Sequence, residues 1–559
     1  MKKYLKKLCT LLTLVSVILA ALFALMGAPW WLTGGTAFAG VVAFLLNSWL
    51  RKHFRTVTRP MTLQRDYRAG WLLIGGSTAV LTGSNTVVIA VATVLGIALV
   101  FAETNLAPSW GSLYPSVRNL PGAEVHRWIR TVSTAFILLS LLATLALFTV
   151  PAIGVLGAWI ALTLNGAAAL LAVGTTAYAR RRKHPIQDAK WQSVANYAPQ
   201  FIVYFSAPAG SAYQIKMWVP FLERVGLPWM IVLRERRYLR EFSQLTDVPV
   251  VVASSLGSID QVMTSSVRAV FYVNNSFKNS HAVRFADRTH VQLLHGDSDK
   301  VSSFSPVTAM YDRVFVAGAA GRDRYWRHGI AIPEEKFRIV GRPQVEGIQR
   351  AEQGPSHPPV VLYAPTWHGF QQDANFSSLP VGEIIVRTLM EAGCRVIFRA
   401  HPSSMRQTES VATIERIHEL LAADTGTDHI FGQRAQSEVD LVDCMNASDA
   451  LITDVSSVPG DYLFSDKPFI TVKTLPEMDD EEFASEFPLV KASYVWDSER
   501  PEELFRLVEQ MLSADPLAPK RSSMRSYYLG DFEADGYAEH FLSAVRRVVA
   551  ENEQSALAQ

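Results

Sequence analysis

Apolar positions run almost without interruption through the first third of the chain and then break into short bursts separated by polar stretches. Residues 8–27, LCTLLTLVSVILAALFALMG, carry no charge and are long enough to cross a bilayer. A second apolar run covers about 31–50, with Pro29, Trp30 and Trp31 forming a turn at interfacial depth. MKKYLKK at the start and AFA at 37–39 resemble a signal peptide and its cleavage site. That site lies too far beyond the first apolar run, so a retained anchor is expected. The stretch from Gly70 to Ala102 is 33 residues. As one straight helix it would reach about 50 Å, so the pattern predicts two spans divided near GSNT, 83–86. Residues 131–150 and 152–174 predict another pair, broken at Pro151, and ARRRK at 179–183 ends the region. About six spans place both basic ends and the loops from Arg51 to Arg68 and Arg118 to Arg130 on the cytoplasmic side. No charge lies deep inside these runs, which argues against a transporter or proton pump.

From Phe201 onward the period changes. FIVYFSA (201–207), WMIVL (229–233), VPVVVAS (248–254), AVFYVNN (269–275), HVQLLH (290–295), RVFVAG (313–318) and FRIVG (337–341) predict buried strands alternating with helices. AEQGPSHPP, 351–359, reads as a linker. The pattern then restarts with VVLYAPT (360–366), CRVIFRA (394–400), HIFG (429–432), ALITD (450–454) and PFITV (468–472). Continuously apolar strands between helices imply parallel sheets covered on both faces. The expected architecture is an all-α transmembrane region over 1–184, then two Rossmann-like, doubly wound α/β domains over 195–350 and 351–559, facing each other across a cleft. In such sheets ligands bind beyond the carboxyl ends of the strands.

Composition changes this picture little. The formal net charge of +2 over 559 residues argues against a nucleic-acid partner. Cys9, Cys394 and Cys444 are widely spaced, with neither metal spacing nor a disulfide framework, as expected of reduced thiols in a cytoplasmic domain.

Four polar clusters follow predicted strands. In HGDSDK, 295–300, His295 ends a strand as a candidate base, and Gly296 allows a tight turn or close backbone approach. Asp297 or Asp299, if close, would raise the His295 pKa. In YAPTWHG, 363–369, Thr366 is placed to cap a segment or donate to a phosphate, and Trp367 to pack against a ring or in the core. In RAHP, 399–402, alternation puts Arg399 and His401 on opposite faces, with His401 the better cleft candidate. In DVSSVPGDYLF, 454–464, Ser456 and Ser457 lie where a helix should begin, a setting suited to a phosphate or to an ordinary cap. Asp461, one turn later, is placed to bind a hydroxyl or to face solvent.

Together, HGDSDK, LYAPTWHG, RAHP and TDVSSVPGDYLFSDKP resemble the CDP-glycerol glycerophosphotransferase family of teichoic-acid polymerases and primases, over about 200–545. That family commonly reads HG…K, LYAPTWR, R-x-HP and DYSS…D…KP, and VGRP at 340–343 is similar to its GYPR element. The resemblance implies a GT-B fold and transfer of a polyol phosphate from a CDP-linked donor to a hydroxyl of a lipid-linked or polymer acceptor at the membrane, with release of CMP. His295 and His401 match the functional histidines, and Ser456, Ser457 and Asp461 match the donor-binding end. Gly296, Lys300, Thr366 and Arg399 belong to the same motifs as substrate-binding candidates. No cofactor or structural metal is expected. The chain departs from the family pattern at Asp297, Asp299, Gln344, His368 and Val455. Alternatives from other classes are a glycosyltransferase using a nucleotide sugar and a weakly catalytic membrane scaffold for lipid-linked polymer.

Overall fold

The computed structural model describes residues 86–111, 116–121, 153–300, 303–351, 354–368, 376–513 and 515–557, with scattered positions before residue 150. It divides into two compact units, residues 1–115 with 121–193, and 116–120 with 194–559.

In the first unit the helix α1 covers Thr86–Gly111, and the break expected at 83–86 falls mostly outside the described residues. The spans expected at 8–27, 31–50 and 131–150 lie outside the described residues apart from scattered positions. Among the described residues one helix, α2 (Val155–Tyr197), is long and apolar enough to cross a membrane. It starts just beyond Pro151, as the pattern predicts. It does not stop at ARRRK: it continues through Arg180–Lys183 and Pro185 for 43 residues, about 65 Å. Small residues let α1 and α2 approach closely, with Ala92, Ala158 and Ala161 fully buried, and the Asn165 amide donates to the Ala92 carbonyl at 2.8 Å.

The second unit carries two sheets. The first contains β1 (Val117–Arg118), β2 (Phe201–Phe205), β3 (Trp229–Leu233), β4 (Val250–Val252), β5 (Ala269–Tyr272), β6 (Thr289–Gln292), β7 (Arg313–Val316) and β8 (Phe337–Ile339). Their order is β1-β4-β3-β2-β5-β6-β7-β8, parallel except for the two-residue β1, which pairs antiparallel with β4 at one edge. The second sheet contains β9 (Val360–Ala364), β10 (Arg395–Phe398), β11 (Ala450–Thr453), β12 (Phe469–Lys473) and β13 (Tyr494–Asp497), all parallel in the order β10-β9-β11-β12-β13. Every residue of β2, β3, β9 and β12 is buried, because helices cover both faces.

Strand order reverses between β2 and β5 in the first sheet and between β9 and β11 in the second. These are the topological switch points beyond which α/β sheets bind ligands. HIFG, expected as a strand, makes only an isolated bridge between Ile430 and Ile397, and Gly432 turns the chain away with φ +60. The last helix, α5 (Glu539–Leu557), expected with the second domain, packs on the first. Its Phe541, Leu542, Val545, Val548 and Val549 join the core built from Phe201, Phe271 and Phe315.

Candidate active site

The loops after β6, β9 and β11 meet where the two sheets face each other. A Cβ placed on Gly296 would lie 3.8 Å from the Ser457 side chain, and one on Gly460 would lie 3.5 Å from the Asp297 carbonyl. The expected tight turn at Gly296 is displaced: Leu294 takes the left-handed backbone, at φ 54, and its carbonyl accepts the Trp218 indole N–H at 2.8 Å.

His295 Nδ1 lies 2.8 Å from the Val273 carbonyl. A carbonyl only accepts, so Nδ1 carries the proton and Nε2 keeps its lone pair. The Gln214 amide nitrogen lies 3.5 Å from Nε2, held by Asn274, whose amide donates to Gln214 Oε1 at 2.9 Å. Burial lowers the His295 pKa, the Val273 carbonyl opposes that, and Arg342 adds to the lowering. The ring is therefore a neutral base at neutral pH.

The expected influence of Asp297 and Asp299 is overturned, because buried Arg324 claims both. It donates to Asp297 at 2.5 Å and to Asp299 at 3.0 Å, and the Tyr528 hydroxyl donates to Asp299 at 2.6 Å. Arg324 comes from α3 (Ala319–Arg327) and Tyr528 from α4 (Ala518–Leu529), so the two acids tie the histidine loop to both domains. A cavity of about 30 Å³ behind the loop is lined by Gly296, Asp297, Arg324 and Arg342, and Arg324 Nη2 has no hydrogen-bond partner among the described residues. It has room for a water.

Asp461 corrects a second expectation. It neither faces solvent nor stands open to a hydroxyl: both its oxygens are held by Arg342, Oδ1 by Nε and Oδ2 by Nη2 at 3.0 Å. Burial works against the Arg342 charge, but Asp461 and Asp297 outweigh it and raise its pKa. Arg342 and Arg324 are the residues that sequence reading missed. The VGRP likeness pointed to the neighbourhood of Arg342, whereas no local signal marks Arg324.

On the opposite side of the cleft His401 Nδ1 accepts the Ser403 N–H at 3.1 Å. A neutral ring so held carries its proton on Nε2 and is a donor, the reverse of His295. Trp367 stacks on it with centroids 6.2 Å apart. Arg399 is not in this group. Its guanidinium donates to the carbonyls of Ala435 and Val439, the latter at 2.6 Å, and so braces the segment 434–439 rather than facing the cleft.

Lys300 reaches across from the first domain and donates to the Thr366 hydroxyl at 3.2 Å, above the Phe376 ring. Burial lowers its pKa to about 8, with Asp454 opposing. The Thr366 N–H donates to Asp454 Oδ2 at 2.6 Å. Burial lifts Asp454 to about 7, against nearby Ser378, Thr366 and Lys300. Ser456 Oγ accepts the Val458 N–H at 3.2 Å, and Ser457 stands at the cap position of the short helix Val458–Tyr462 without a side-chain cap bond. Among the described residues no group of three or more His, Cys, Asp or Glu side chains is arranged to hold a metal. A wider pocket of about 770 Å³ lies at the amino ends of β11 and β12, lined by Arg350, Asp449 and Lys467, away from this cluster.

Residues 334–480 match the family CDP-Glycerol:Poly(glycerophosphate) glycerophosphotransferase. The match marks a glycerophosphotransferase-like transferase. It spans Arg342, Thr366, His401, Ser456 and Ser457, while His295 and Lys300 of the transferase lie before it. No curated protein sequence matches the chain. Solved structures similar to the transferase include a UDP-N-acetylglucosamine 2-epimerase from Listeria monocytogenes, at 11% identity over 63% of this chain and 97% of that one, TM-score 0.43. The wall teichoic acid polymerase TagF soaked with CDPG matches at 12% identity over 66% and 94%, TM-score 0.42. HepE from Anabaena, in complex with UDP and glucose, matches at 12% over 62% and 99%, TM-score 0.38.

Proposed function

We propose that the transferase moves a polyol phosphate, such as glycerol phosphate, from a CDP-linked donor to a hydroxyl of a lipid-linked or polymer acceptor, extending a phosphate-containing envelope polymer. The observation that carries this reading is the family match over 334–480, which holds the phosphate-facing candidates Thr366, His401, Ser456 and Ser457. The acceptor oxygen attacks the β-phosphorus. The new O–P bond forms as the bond to the bridging oxygen breaks, and CMP leaves with that oxygen. The acceptor proton passes to His295 Nε2. His401, through its Nε2–H, and the two serines stabilise charge on the diphosphate. Such a transfer depends on positioning and electrostatics rather than on a covalent intermediate.

The membrane attachment belongs to the same proposal. Leu156, Trp159, Leu170 and Val173 of α2 are exposed, and apolar surface of that extent along one helix is suited to lipid. The full reading is a multi-pass anchor with the α/β unit in the cytoplasm, where nucleotide donors are made.

A panel of CDP-polyols and nucleotide sugars, each given to the purified full chain with a membrane extract, tests the assignment. CMP release with a CDP-polyol, and a matching mass increment on the acceptor, is expected. Turnover of a nucleotide sugar alone would instead make the chain a glycosyltransferase on the same fold.

A further inference from the structure

Asp454 directly follows β11 at the switch point of the second sheet and is fully buried. Its Oδ2 holds the Thr366 N–H, and Ser378 lies close enough to act on the same carboxylate. Thr366 also accepts from Lys300 through its hydroxyl. One threonine thus joins a buried carboxylate to a cation from the other domain, and no direct ion pair joins the two charges among the described residues. Among the described residues Lys300 is the one charged group acting on Asp454. The Tyr363 hydroxyl of β9 shares a hydrogen bond with the Ser378 hydroxyl, at 3.0 Å, and Ser378 and Thr366 come from the segment after β9. Lys300, from the loop after β6, is the cation acting on the carboxylate.

Lys300 is held by a hydroxyl rather than a carboxylate, whereas Arg324 and Arg342 are committed to carboxylates, so an anion entering this cleft draws Lys300 most readily of these three. Whatever draws the ammonium away leaves Asp454 buried with no countercharge, which is costly for a carboxylate.

We propose that Asp454 is the proton-accepting counter-group of the donor site: when a donor diphosphate draws Lys300 onto its oxygens, Asp454 takes one proton from solvent. The proposal rests on reading the cleft as a CDP-donor site. The one bond formed is the Asp454 O–H, and the one broken is that of the buffer acid; the carboxylate becomes a neutral acid that still accepts from Thr366. Burial has already lifted Asp454 to about 7 with Lys300 in place, so loss of the cation moves it further the same way. The donor cannot supply the signal. Both phosphates of a CDP-polyol are esterified, and only a terminal phosphate has a second ionisation near neutrality. Lys300, with its pKa at about 8, contributes a smaller uptake of its own.

The test is calorimetric titration of the full chain in detergent with CDP-glycerol at about pH 7.5, in Tris and in a sulfonate buffer of different ionisation enthalpy. The expected result is a buffer-dependent enthalpy equivalent to about half a proton or more taken up per donor bound. Asp454→Asn, which keeps an acceptor for the Thr366 N–H, should bind donor and lose most of the uptake. His295→Gln, which removes the imidazole read as the acceptor-side base, should keep it. Donor binding with a buffer-independent enthalpy overturns the proposal, as does undiminished uptake in Asp454→Asn. Absence of any CDP-glycerol binding would sink the donor reading itself, and this proposal with it.

Discussion

At the residue scale the two histidines are distinguished by what their Nδ1 atoms do. His295 spends its proton on a carbonyl and His401 spends its lone pair on an N–H, so one ring is left as a base and the other as a donor. Replacing His295 with alanine should leave donor affinity nearly unchanged and cut CMP release in the presence of acceptor by roughly 10²- to 10⁴-fold. Donor titration beside turnover measures both, and near-full turnover would remove His295 from the mechanism. The pH profile has a definite sign. A base works when neutral, so activity falls as pH drops through its pKa, and burial holds that pKa below the ordinary 6.5. The acid limb of turnover should therefore lie below pH 6.5, not be shifted upward as the neighbouring acids suggested. Those acids show the limit of reading a sequence locally. The position of His295 beyond a sheet edge was legible because it closes the apolar run HVQLLH, three residues past the end of β6. The pairing of Asp297 and Asp299 was not, because Arg324 lies on the next helix and Tyr528 comes from the other domain.

At the scale of elements, the strands of both sheets were legible wherever they are buried on both faces, since such runs are continuously apolar. β13, YVWD, escaped notice because alternate residues are only half-buried and it ends in an aspartate. HIFG has the composition of a strand, but its chain turns at Gly432 after one bridge. The amphipathic period of α5 was legible, but its partner was not, because periodicity states that a helix has a core face without naming the core. The contacts between elements are equally non-local. Arg342, just after β8, holds Asp461 of the short helix after β11, and the pair is largely withdrawn from solvent. Asp461→Asn leaves that guanidinium buried and unpaired, and should cost about 3–5 kcal/mol. Arg342→Met with Asp461→Leu removes both charges and should cost much less. Thermal melting of the three proteins checks the order; equal losses in the single and double variants would show that the pair is not what couples these elements.

At the scale of the whole molecule, the division into an apolar first third and an α/β remainder is written in hydropathy alone, whereas the end of the long apolar helix is not. ARRRK looked like a terminus, yet α2 carries the same backbone on to Tyr197. Charge ends a lipid-facing surface without ending a helix, since arginine and lysine are good helix formers and their side chains can remain in water. Arg180, Arg181, Arg182 and Lys183 are all exposed on consecutive positions just beyond the apolar stretch. Carrying such a cluster across a bilayer is costly, and it favours the cytoplasmic face. The proposed chemistry makes the same demand, because a nucleotide-activated donor is a cytoplasmic metabolite. A reporter inserted after Lys183 should therefore be active only in its cytoplasmic form. Moving the four cations to glutamine should weaken that preference without shortening the helix, because glutamine propagates it nearly as well. An extracytoplasmic signal from the unaltered chain would place the cleft on the wrong side for its donor, overturning the proposed topology and the CDP-dependent reaction together.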